Sequence, residues 1–167
     1  MRFLALMMLG AALLGSSHDD ESKGLELYKQ GKYAEAAVEL RQVAAEQPTN
    51  GQALTYLGLA LVKAGQSNDA VDPLKRAIAI DEKNAEAHYG LGLAYGYQKN
   101  VTESIKELTR AVELNPDHAY AHYNLGLAYN QQNRVDLAVL HLSRFAELAP
   151  EAPEAAQVNA LLRQLRR

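Results

Sequence analysis

One period governs this chain. Residues 85–118 and 119–152 align without a gap at 16 of 34 positions, and the octet HYGLGLAY at His88 to Tyr95 returns as HYNLGLAY at His122 to Tyr129. A fixed period of this length marks a unit too small to bury its own apolar face, so neighbouring copies must stack to make a core. The same interval places Gly92 on Gly58 and Gly24, each followed by a leucine (Leu93, Leu59, Leu25), and adds Gly126 with Leu127. Four units follow: residues 17–50, 51–84, 85–118 and 119–152.

Within each unit the apolar residues keep helical spacing, as in Leu54, Leu57 and Leu61 and then Ala70, Leu74 and Ala77. Breaks at Gln30-Gly31, Ala64-Gly65, Lys99-Asn100 and Asn133-Arg134 divide every unit into two helices. Gly and Asn suit the left-handed conformation that closes a helix, and only Lys99 fits that role poorly. Pro48, Pro116 and Pro150 end the second helices, with Glu82 in that place in the second unit. Glycine inside a helix costs about 1 kcal/mol relative to alanine. Four glycines at one phase therefore predict close backbone approach, met from the other helix by Ala36, Ala70, Ser104 and Ala138.

The 34-residue period, the pairs Leu57-Gly58, Leu91-Gly92 and Leu125-Gly126 and the recurring prolines resemble the tetratricopeptide repeat over about residues 17–152. The resemblance implies an all-α fold: a right-handed α-solenoid of four antiparallel helix pairs, with first helices lining a concave groove and second helices facing outward. The chain departs from the family pattern at His88, His122, Leu54 and Asp20, where tryptophan is most frequent, and at Phe145, where alanine is usual. An array of this kind needs a polar end. Residues 153–167 predict a closing helix, with Pro153 at its start, Val158, Leu161, Leu162 and Leu165 on its apolar side, and Phe145 filling space against it.

Ahead of the repeats, Arg2, the apolar run from Phe3 to Leu14 and the small residues Gly15, Ser16 and Ser17 have the layout of a secretory leader. The run is shorter than the roughly 20 residues a membrane-spanning helix needs. The expectation is cleavage after Ser17 and an exported, periplasmic or extracytoplasmic protein starting at His18. The alternative is a chain anchored to the membrane by an uncleaved N-terminal segment.

The chain has no cysteine and a formal charge of −3. Thiolate chemistry is excluded, and a nucleic-acid binder, which would need a concentrated basic face, is not expected. Charge gathers on the second helices, as at Glu103, Lys106, Glu107 and Arg110, whereas the first helices are nearly neutral: residues 52–62 and 119–133 carry none and residues 85–98 only Glu86.

A neutral face on a repeat exterior points to an apolar or amphipathic peptide segment of a protein partner. By resemblance, the groove columns hold Tyr28, Thr55, Leu59, Tyr89, Leu93, Tyr97, Tyr120, Tyr123, Asn124, Leu127 and Asn130. Tyrosine and leucine there offer large contact area at small ordering cost. A subset of the family grips acidic C-terminal peptides with basic residues and asparagines. Leu25 and Leu59 replace the asparagine here, so recognition of that type is disfavoured. The alternative role is self-association as a structural subunit, or service as an accessory component of a cell-envelope assembly or secretion complex.

No convergent catalytic set, phosphate-binding loop or cofactor motif is present, so neither enzymatic activity nor a cofactor is expected. The one candidate metal pair is His118 and His122, spaced i, i+4, without a third ligand beyond Asp117. His141, on a second helix, is expected to be solvated.

Overall fold

The computed structural model describes residues 20–166. The leader expected at residues 1–17 lies outside them. The described residues form nine helices and no strand. After a first helix, α1, over residues 20–29 come α2 (Tyr33–Glu46), α3 (Gly51–Lys63), α4 (Ser67–Ile80), α5 (Ala85–Tyr97), α6 (Val101–Leu114), α7 (Ala119–Gln131), α8 (Val135–Leu148) and α9 (Ala155–Leu165). They divide into two compact units, one ending at Glu82 and the other starting at Lys83. The first contains α1–α4 and the second α5–α9.

Each helix pair turns on a residue in the left-handed region: Gly31 (φ 76°), Gly65 (φ 80°), Lys99 (φ 62°) and Asn133 (φ 57°). The four positions are 34 residues apart, so the third turn does fall on the lysine that suits it least. After each turn the backbone amide of the next residue bonds back to a first-helix carbonyl, as Asn100 N to Tyr95 O at 2.9 Å and Arg134 N to Tyr129 O at 2.9 Å.

The glycine column is the hinge of the packing. A Cβ built on Gly24, Gly92 or Gly126 would lie 2.7 Å from Cγ of Leu40, Leu108 or Leu142 respectively, and Gly58 meets Leu74 in the same way. Each glycine thus receives the leucine 16 residues later, and those leucines are fully buried. The alanine column packs beside it; where it carries a serine, Ser104 Oγ donates to Gly92 O at 2.7 Å, which keeps a buried hydroxyl satisfied.

Helix starts use a device with the same period. Asn50 Oδ1 accepts from Ala53 N at 3.0 Å, Asn84 Oδ1 from Ala87 N at 2.9 Å, and His118 Nδ1 from Ala121 N at 3.2 Å. Pro73 lies inside α4, where its missing N–H removes one rung of the helix ladder.

In the second unit α9 closes the apolar end. Val158 and Leu162 pack on Leu142 and Phe145, with Tyr123, Leu127, Val139 and Leu165 around them. Burying side chains of this size contributes about 1.5–3 kcal/mol each. None of the described helices is long and apolar enough to cross a membrane.

Candidate functional site

In the second unit, α5, α6 and α7 enclose an open cleft of about 370 Å³. Leu93, Gly96 and Tyr97 come from α5, Ser104 and Leu108 from α6, and Tyr123, Asn124, Leu127, Ala128 and Gln131 from α7. No lining residue is charged. Gly96 opens the space, since it leaves Ser104 Oγ 3.3 Å from where a Cβ would sit. Tyr97, 69% exposed, stands at the rim, while Leu93, at 8%, lies at the floor. Asn124 Nδ2 donates to Tyr120 O at 2.7 Å, which fixes the carboxamide on its own helix. Burial first, then Glu154 and Tyr97, raises the Tyr123 phenol above its ordinary value, so it stays neutral near pH 7.

Five of the eleven residues read as groove positions thus line one cleft: Leu93, Tyr97, Tyr123, Asn124 and Leu127. The others are placed differently. Tyr89 is buried with its ring 4.4 Å from that of His118. Tyr120 donates to Glu154 at 3.2 Å and its ring lies 5.7 Å from Phe145, so it is tied to the closing segment. Asn130 is half-buried outside the cleft lining.

In the first unit Thr55 is buried with its hydroxyl bonded to Gly51 O at 2.7 Å, and Leu59 is only 2% exposed. Leu59 is therefore covered and Leu93 nearly so, although both belong to the groove columns expected from the sequence. Tyr28 joins an edge-to-face cluster with Tyr33 at 5.4 Å and Tyr56 at 5.3 Å. The sequence reading missed both partners, although a tyrosine on each flanking helix was the available signal.

The first unit also has a concavity, of about 520 Å³, over Leu57 and Leu61. Its walls carry Arg41, Asp69, Asp72 and Arg76, and Arg76 reaches Asp72 at 3.7 Å and Pro48 O at 3.2 Å. Size favours this hollow, but it carries four charged side chains, of which Arg76 and Asp72 pair along α4. The smaller cleft has no charged residue in its lining.

The histidine pair does not converge on a metal. His118 Nδ1 caps α7, and its Nε2, 3.2 Å from Glu86 Oε1, makes no aligned hydrogen bond. His122 instead turns toward α8: its Nε2 lies 3.0 Å from Pro116 O and its Nδ1 2.9 Å from His141 Nδ1. The described residues contain no cluster of three or more metal-ligating side chains. His141 is half-buried rather than solvated, stacked on Tyr129 at 5.6 Å. Its counterpart one period earlier is Glu107, which bonds His88 Nδ1 at 2.7 Å.

Residues 89–153 match the family described as "Tetratricopeptide repeat", and residues 58–99 match "TPR repeat". The chain is a tetratricopeptide-repeat protein. Such proteins are generally non-enzymatic scaffolds for protein–protein interaction. No curated protein sequence matches the chain. Among solved structures, MamA is 28% identical with a TM-score of 0.73 over 90% of this chain and 82% of its own. A MamA fragment from Desulfovibrio magneticus RS-1 is 26% identical, with a TM-score of 0.70 over 82% and 77%. YrrB, described as a TPR protein with an unusual peptide-binding site, shares the fold at 22% identity, with a TM-score of 0.70 over 93% and 86%.

Proposed function

We propose that this tetratricopeptide-repeat protein is a scaffold that captures an uncharged, apolar or amphipathic peptide segment of a protein partner in the α5–α7 cleft. The observation that carries this reading is the lining itself: a hollow of about 370 Å³ bounded by leucine, tyrosine and carboxamide side chains without a charge. An apolar side chain of the guest sits over Leu93 and Leu127, and Asn124 and Gln131 meet its backbone polar groups. A neighbour of the same fold, the first TPR of Spaghetti, is bound to the HSP90 peptide SRMEEVD. That guest is acidic, and the cleft here offers no cation to receive it.

The test is selection from a random peptide library on the folded chain, repeated with Tyr97→Glu combined with Gln131→Glu, two exposed rim positions where charge leaves the packing intact. Apolar peptides enriched by the first protein and at least tenfold weaker on the second support the reading. Equal enrichment on both sinks it. Export belongs to the same proposal, motivated by the layout of residues 1–17. N-terminal sequencing of exported protein should begin at His18, and a start at Met1 would overturn cleavage.

A further inference from the structure

The fourth helix pair contains a bond that its repeats do not share. Where repeat three sets a carboxylate, Glu107, against His88, repeat four sets an imidazole, His141, against His122. The two Nδ1 atoms are 2.9 Å apart and the ring centroids 5.2 Å. A ring nitrogen sits about 1.2 Å from its ring centre, so both nitrogens fall nearly on the line between the centres, the geometry of a straight N–H···N bond.

The network assigns the proton. His122 Nε2 faces the Pro116 carbonyl and must donate to it, which leaves its Nδ1 as acceptor. His141 Nδ1 is then the donor. With both rings protonated every ring nitrogen carries a hydrogen, and two N–H groups would confront each other across the same gap.

We infer that His122 and His141 form an acid-sensitive clasp between α7 and α8, closed while the rings share one Nδ1 proton and forced open when both become cationic.

The surroundings resist the extra charge. The rings flank a hollow of about 270 Å³ lined by Val112 of α6, Pro116, and Leu140 and Arg144 of α8. Burial lowers the His122 imidazole; Arg144 and His118 push it further down, while the Pro116 carbonyl and Asp117 oppose them. Burial, and then His122, hold His141 down at about 4. Tyr129 covers one face of the His141 ring, with the Arg134 guanidinium 5.1 Å from the Tyr129 ring centre. Arg144 is itself paired with Asp117 at 2.7 Å and Glu147 at 3.1 Å. The α6 residue on the hollow, Val112, is uncharged.

The sign follows. An unfolded chain protonates these histidines near pH 6.5, and the folded pair refuses the protons until lower pH. The stabilisation is therefore complete above about pH 6.5 and is lost as pH falls toward about 4. Because α7 also carries Tyr123, Asn124 and Leu127, acid loosens one wall of the neutral cleft. This last consequence rests on the peptide-binding reading, whereas the clasp itself does not.

Two measurements on the full chain decide the matter. Nitrogen-15 NMR of the imidazoles should show, near pH 7.5, His122 as the Nε2–H tautomer and His141 as the Nδ1–H tautomer, both still neutral at about pH 6. Denaturant unfolding of wild type and His141→Glu, which restores the carboxylate of repeat three, should diverge with pH. Between about pH 7.5 and 5 the folding equilibrium of the wild type should fall at least tenfold relative to the variant. Rings that titrate at about pH 6.5, or a pH-independent difference between the proteins, would overturn the clasp. If His141→Glu does not fold, the wild-type titration alone decides. Peptide affinity that stays constant while the clasp opens would refute only the link to the cleft.

Discussion

A single atom limits what the glycine column accepts. At Gly126 a methyl group would press on Leu142 Cγ at 2.7 Å, and Leu142 is fully buried against α9. Gly126→Ala gains helix propensity of about 1 kcal/mol but overpacks the pair by 1–3 kcal/mol or more. Thermal unfolding should therefore show net destabilisation, and a raised melting temperature would refute the close-contact account. The opposite outcome is expected at Lys99. A side chain in the left-handed region costs roughly 1–2 kcal/mol, and the turn has glycine at the same phase in two repeats. Lys99→Gly should raise stability by about 1 kcal/mol in denaturant unfolding, since part of the relief is returned as chain entropy in the unfolded state.

At the scale of helices, the first helix of each later repeat begins from a side-chain acceptor. Asn84→Ala removes the cap on α5 and should cost about 1 kcal/mol, measurable as faster amide exchange at Ala87 and its neighbours. These caps are legible in the sequence, as Asn50, Asn84 and His118 precede helices at the common period. Helix pairing, the glycine–leucine contacts and the closing helix follow from spacing within a unit, and spacing is what a sequence displays. The groove columns follow from something else. Whether Leu59 or Leu93 is covered depends on how one pair leans on the next, and no periodicity inside a helix encodes that. Tyr120 and Tyr123 belong to groove columns, yet both pack around Phe145, where the other repeats have alanine or valine. The His122–His141 bond was hidden for a related reason: its partners are 19 residues apart on two helices. Its trace in the sequence is the exchange of Glu107 for His141 opposite the shared column of His88 and His122.

For the molecule as a whole, an array stabilised by neighbour contacts is most vulnerable where a neighbour is missing. Ending the chain after Ala152 would strip Val158 and Leu162 from Leu142 and Phe145 and uncover a fully buried aromatic ring. The loss of several kcal/mol should lower the melting temperature by roughly 10 °C and accelerate exchange in α7 and α8 before α5. Uniform exchange across the second unit would show that α9 is dispensable. The truncated chain should also bind hydrophobic dyes, because the uncovered surface is apolar.

The placement of the turns carries a consequence for how such a chain changes length. Gly31, Gly65, Lys99 and Asn133 share one backbone conformation at one phase. A crossover between misaligned gene copies that joins any of these codons to the one after another would rebuild a complete turn. It would add or remove whole helix pairs and leave the glycines and leucines facing their proper counterparts. Variation by modules of 34 is therefore tolerated by this backbone, whereas a gain or loss of a few residues inside a module would throw all later columns out of step.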